Sequence, residues 1–167
     1  MKVLQYLKVL IVLPLLAISG PSVANEPDET ALIIEVLSQD GSLVQLVELS
    51  MLDLQSRPAV TFETSTKWTE GLQKFTGVRL HVLLQELGLN DGEISLLASN
   101  DYRMRFGLDE VRPDGAIIAY EMNERPMSRR DYGPLWLVYD YDSDPVNQLE
   151  TIYTRSVWQL VRISVTQ

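Results

Sequence analysis

Cysteine is absent from all 167 residues, and there is a single histidine, His81. No disulfide can staple the fold, so stability has to come from an ordinary packed core. Zinc, haem-thiolate and iron–sulfur sites built on several Cys or His ligands are excluded, as are cysteine nucleophiles. A long apolar run is also missing. Val9 to Ala17 is the most apolar stretch, and a membrane helix needs about 20 such residues. Positive charge is scarce too. Of the 14 basic residues two, Lys2 and Lys8, fall in the first 24, whereas all 23 acidic residues lie beyond them. Residues 25–167 therefore carry 12 basic against 23 acidic side chains, a net charge of −11. This argues against nucleic acid, whose phosphates demand a basic footprint, and against an anionic membrane surface.

What is present begins with an export pattern. Lys2 and Lys8 precede the apolar run, and Ser22-Val23-Ala24 offers small residues for cleavage. Residues 1–24 are expected to be a signal peptide, and residues 25–167 a single domain of ordinary size. The basic residues that remain are mostly arginine, and six of the ten lie between Arg103 and Arg130. Arginine is the planar, bidentate donor suited to oxyanions and flat heteroatom-rich rings.

The patterning predicts a chain rich in strand and poor in helix. Residues 31–37 and 43–49 are β-prone runs around Asp40-Gly41, a hairpin signal. A short helix or turn is expected at 50–54 and a strand at 60–64. Alternation along that strand sends Thr64 to the core face with Val60 and Phe62, and places Trp68 at the rim. Gly77-Val78 is expected to open a helix with Leu80, Leu83, Leu84 and Leu87 on one face, stopped by Gly88. Further strands are expected at 94–99, 103–106, 116–122 and 135–139. A last strand, 157–165, places Val157, Val161, Ile163 and Val165 on one face. Residues 108–111 read as a single helical turn. Asp140-Tyr141-Asp142-Ser143-Asp144 starts like a calcium loop, but Pro145 stands where glycine is needed and Thr151 where the bidentate glutamate is needed, so it reads as an acidic surface loop.

No nucleophile elbow, phosphate loop, dinucleotide turn or zincin helix is present. His81 would be the only base for a serine triad, and in a chain this acidic no carboxylate pair can be singled out. Polar and aromatic residues at strand ends remain: Thr64 to Trp68, Asn100-Asp101-Tyr102, Arg129-Arg130 with Tyr132, and Tyr153 to Trp158 including Arg155 and Ser156. Arginine forks, amides, a carboxylate and ring faces together suit a flat polar heterocycle. Trp136, by contrast, reads as core.

Five blocks in order carry a resemblance: Phe75-Thr76-Gly77-Val78-Arg79-Leu80, Ala98-Ser99-Asn100-Asp101-Tyr102, Ala119-Tyr120-Glu121-Met122-Asn123, Ser128-Arg129-Arg130-Asp131-Tyr132-Gly133-Pro134-Leu135-Trp136, and Arg155-Ser156-Val157-Trp158-Gln159-Leu160. Together they resemble the sulfite-oxidase-type molybdopterin-binding domain over residues 30–166. The resemblance implies an α+β fold, a mixed and mostly-β core with short helices. It also implies a site of Thr64, Trp68, Asn100, Asp101, Tyr102, Arg129, Arg130, Tyr132, Arg155 and Ser156. In that family a cysteine near the position of Thr64 ligates molybdenum. This chain has none, and a hydroxyl is a poor substitute for a soft thiolate. The expectation is a non-catalytic periplasmic pterin-binding protein with no catalytic residue and no metal. It would act as a ligand-dependent regulator of a membrane sensor or cyclic-di-nucleotide enzyme. Arg129, Arg130 and Arg155 would donate to the ligand's edge, Asp101 would accept from its amino group, and Trp68 or Tyr132 would stack on the ring. The alternatives are a molybdopterin-dependent oxidoreductase without the usual cysteine, and a protein-interaction module with no ligand.

Overall fold

A computed structural model describes residues 29–167. The export pattern and the cleavage site at Ser22-Val23-Ala24 lie outside the described residues. Among the described residues ten strands form two sheets, joined by three α-helices of five to seven residues. β1 (Thr30–Leu37) and β2 (Leu43–Ser50) make the hairpin predicted around Asp40-Gly41. Gly41 takes φ +84°, the left-handed turn conformation that glycine adopts without penalty. α1 (Met51–Gln55) follows at once, opened by a capping box between Ser50 and Asp53. β3 (Ala59–Ser65) alternates as expected, and Thr64 is fully buried.

The next element differs from the expectation. Residues Leu72–Arg79 form a strand, β4, and α2 begins only at Leu80, running to Glu86. Gly77 and Val78 therefore belong to the strand, not to the helix. β4 is a central strand held by β3 on one side and β7 on the other, and a Cβ at Gly77 would lie 2.2 Å from the carbonyl oxygen of Ile118. The glycine serves close backbone approach at a register shift. The helical period starts after it and ends at Gly88, with φ +71°.

β5 (Glu93–Ala98) and β6 (Arg103–Gly107) pair through the turn at Asn100–Tyr102, where Asp101 has φ 66°. A 3-10 turn at Leu108–Glu110 leads to β7 (Ile117–Met122), and a tight turn at Asn123-Glu124 returns as the two-residue β8 (Arg125–Pro126). β9 (Trp136–Val138) has β7 as its strand partner and one isolated bridge from Trp136 to Trp158, and it is wholly buried. Its outer side is covered by residues 157–160, where the N–H of Leu137 donates to Val157 and that of Leu160 to Leu135. A 3-10 turn (Pro145–Gln148) and α3 (Glu150–Thr154) precede β10 (Leu160–Thr166). That last strand is shorter than predicted. Gln159 turns into the left-handed region at φ 52°, and the pairing with β5 shifts between Leu160 and Arg162. Leu160, Ile163 and Val165 are thus buried, while Val161 is only half-buried and Val157 lies in a separate segment.

The first sheet runs β2-β1-β10-β5-β6, with β1 and β10 parallel; the second runs β3-β4-β7-β8 with β9 beside β7. One core draws on both, from Leu32, Ile34, Leu96 and Ile163 of the first to Phe75, Ile118 and Trp136 of the second. The architecture is the mixed, mostly-β fold with few short helices that the sequence implied.

Candidate functional site

The strand ends meet around Trp68. The connection from β3 to β4 is tied by Thr66, whose hydroxyl accepts from the backbone N–H of Trp68 at 3.1 Å and of Thr69 at 3.0 Å. Tyr132 donates its hydroxyl to the carbonyl of Trp68 at 2.6 Å. The indole so placed meets Trp158, Trp136, Tyr153 and Tyr141 edge to face, with centroids 5.4, 5.8, 5.9 and 6.4 Å away. Edge-to-face packing is the favoured geometry for such quadrupoles.

In front of Trp68 lies a cavity of about 290 Å³. Its walls are Trp68, Tyr102, Tyr153 and Trp158, with Asn100, Thr154 and Ser156 adding polar atoms and Lys67 and Glu150 at one side. Lys67 Nζ sits 2.6 Å from the carboxylate of Glu150 and 3.8 Å from the centre of the Tyr153 ring. Tyr102 donates to the carbonyl of Thr154 at 2.8 Å and so joins the β5–β6 turn to α3. Ser156 is buried and already employed: it accepts from Tyr141 at 2.5 Å and donates to Ile152 at 3.0 Å. Burial pushes the Tyr141 hydroxyl above its ordinary range. Asn100 lines the cavity, its Oδ1 accepts from the N–H of Tyr102 at 3.1 Å, and its side-chain NH2 has no partner among the described residues.

Four expected residues therefore line this cavity: Trp68, Asn100, Tyr102 and Ser156. The others stand elsewhere. Tyr132 lies behind Trp68, stacked on Trp136 at 4.5 Å, as a buttress and not a wall. Asp101 is exposed on its turn and does not line the cavity. Arg129 pairs with Glu29 at 2.6 Å, and Arg130 is exposed with no partner among the described residues. Arg155 is turned to the far side of α3. There it pairs with Glu110 and lies over the Phe106 ring at 4.4 Å, in a second cavity of about 240 Å³ that Arg112, Tyr139, Asn147 and Ile152 also line. The Arg155 hydrogen bond holds the Glu110 carboxyl below its usual range, and burial pushes the Tyr139 phenol up to about 12. Seven further residues line the first cavity: Lys67, Tyr153, Thr154, Val157 and Trp158 belong to the strand-end stretches that the sequence singled out, whereas Ala98 and Glu150 do not.

Thr64 does not line the cavity, and its hydroxyl is engaged, accepting from the N–H of Asp142 at 3.1 Å. Asp142 in turn accepts from the N–H and hydroxyl of Ser65 at 2.6 and 2.8 Å, contacts that lower its pKa, the backbone bond most. The acidic loop is therefore more than surface: it locks the end of β3, and it buries Tyr141. Where the resemblance implies a thiolate stands the Thr64 hydroxyl, already bound into the fold, and no cluster of three or more His, Cys, Asp or Glu exists among the described residues. These donors do not suit molybdenum, which takes soft thiolate ligands in such sites. The walls do suit the organic ring: four aromatic faces, one free amide donor and one carboxylate.

Fold and site together define a two-sheet domain with an aromatic cavity at its strand ends. Among known families, the oxidoreductase molybdopterin-binding domain matches residues 27–141, and this chain belongs to that family. The match ends at Tyr141, so the α3 wall, with Arg155 and Ser156, falls outside it. No curated protein matches the chain.

Proposed function

We propose that the chain binds a pterin without turning it over. The observation that carries this reading is the pairing of an intact aromatic cavity with a thiolate position filled by Thr64, whose hydroxyl is tied to the Asp142 backbone. Trp68, with Tyr153 and Trp158 packed edge to face on it, offers the bicyclic ring an aromatic wall. Asn100 donates to the ring's carbonyl or ring nitrogens, and Glu150 accepts from its 2-amino and N3–H edge. That edge is a guanidine-like pair of donors matched to a carboxylate. Glu150 takes the role first given to Asp101. Exchange of its ion pair with Lys67 for the ligand is cheap, because an exposed pair contributes about 0–1 kcal/mol.

The basic start, apolar run and small-residue site of residues 1–24 support export, and with it a periplasmic place of work. Exported and lacking a metal ligand, the domain would act as a sensor that reports bound pterin to the outer part of a membrane protein. The test is thermal unfolding of the purified chain with 7,8-dihydroneopterin, joined to extraction of whatever heterocycle and molybdenum co-purify. Binding at about 100 times the dissociation constant adds about 2.7 kcal/mol to stability and raises the midpoint. An unmoved midpoint and no extractable pterin would sink the proposal. Stoichiometric molybdenum would favour an oxidoreductase instead.

A further inference from the structure

The walls of the aromatic cavity carry a charge pattern of their own. Among its lining residues only Lys67 and Glu150 are charged. The cation is answered twice, by the Glu150 carboxylate at 2.6 Å and by the Tyr153 ring at 3.8 Å. The carboxylate is the more open partner, with 78% of its side chain exposed against 48% for Lys67. The arginines stand outside: Arg129 pairs with Glu29, Arg155 with Glu110 beyond α3, and Arg130 is not part of the wall. The hydroxyls on the wall have already spent their protons. Tyr102 donates to the carbonyl of Thr154 at 2.8 Å, Thr154 to that of Thr151 at 2.9 Å, and Ser156 to that of Ile152 at 3.0 Å. Tyr102 and Thr154 therefore offer a ligand their oxygens as acceptors.

We propose that the cavity selects pterins whose side chain ends in neutral hydroxyl groups and rejects those that end in a phosphate, with Glu150 as the residue that discriminates. The inference rests on the pterin reading above and narrows it to a ligand class. A hydroxyl brings the proton that the Tyr102 and Thr154 oxygens can take. A phosphate monoester brings about −1.5 to −2 charges at neutral pH and oxygens that mostly accept. Such a group would set acceptor against acceptor and like charge against Glu150, with no unpaired cation in the wall to offset either. The field of the whole chain acts in the same sense, because residues 25–167 carry 12 basic against 23 acidic side chains. Molybdopterin, from which the family takes its name, ends in a phosphate and falls in the rejected class. The loss of the metal ligand and the charge of the wall thus exclude the two ends of the same cofactor independently.

Calorimetric titration with 7,8-dihydroneopterin and with its monophosphate ester tests this on the parent, Glu150→Gln and Lys67→Met, with circular dichroism to confirm that each is folded. The parent should prefer the unphosphorylated ligand by about tenfold or more. Glu150→Gln should narrow that ratio to about threefold or less, and Lys67→Met, which leaves Glu150 unanswered, should widen it. Raising the salt concentration should narrow it in the parent, since exposed charges are screened. Equal or tighter binding of the phosphate ester by the parent overturns the inference, and so does a ratio that Glu150→Gln leaves unmoved. If Glu150→Gln binds both ligands too weakly to compare, Lys67→Met decides, and a ratio that narrows there would make Lys67 a phosphate ligand and overturn the inference. A parent that binds neither compound sinks the pterin reading itself, an outcome distinct from binding both alike.

Discussion

The two cavities on either side of α3 share one short wall and little else. Tyr153 and Thr154 face the first, Thr151, Ile152 and Arg155 the second. The first is walled by rings, with an amide left free and its one ion pair exposed to water. The second is floored by charges that already answer each other, Arg155 to Glu110 and Arg112 to Asp114. A cation in a cavity is therefore no guide to where an anionic or polar ligand sits, because Arg155 serves the scaffold.

The comparison can be broken in three ways. The largest effect is expected from Trp136→Ala. This ring is fully buried against Phe75, Trp68, Tyr132 and Trp158, and such truncations cost about 3–5 kcal/mol. Chemical denaturation should show that loss, with the aromatic cavity abolished. Next is Arg155→Met. The Arg155 side chain is 11% exposed but Glu110 is 46% exposed, so the cost is discounted to about 1–2 kcal/mol. Affinity for dihydroneopterin should stay within about twofold. A tenfold loss of affinity would show that the second cavity takes part in binding. The variant also has a pH signature. The folded Glu110 pKa is depressed, so its contribution is present above the unfolded glutamate value of 4.5 and is lost as pH falls through the lower folded value. The parent should lose stability in that acid window more steeply than the variant. The smallest effect is expected from Tyr153→Ala, where an aromatic contact of about 0.5–1.5 kcal/mol corresponds to roughly 2–10-fold weaker dihydroneopterin binding in calorimetry.

Local signals in the sequence carried much of the fold. The Asp40-Gly41 hairpin, the buried face of Thr64, the stop at Gly88 and the core position of Trp136 all follow from period, turn chemistry or hydrophobicity within a few residues. β4 did not, because Gly77 is demanded by the carbonyl of Ile118, a contact made only after two strands meet. The left-handed break at Gln159 carries no mark in its residue type. The site suffered most. Arg155 reaches Glu110 across 45 residues, and Lys67 reaches Glu150 across 83. Such pairings decide which charges are free, and no motif announces them.

The chain has three tryptophans, and all three stand in one cluster, with centroids 5.4 to 6.4 Å apart. At that spacing the indoles act as a single optical unit. Light absorbed by the buried Trp136 migrates to Trp68 and Trp158, which border the cavity. Anything that quenches at the cavity should darken the whole protein, and exciton coupling should give a near-ultraviolet signature that changes when any one ring is removed. The molecule reads out its own cavity by colour, with no label attached.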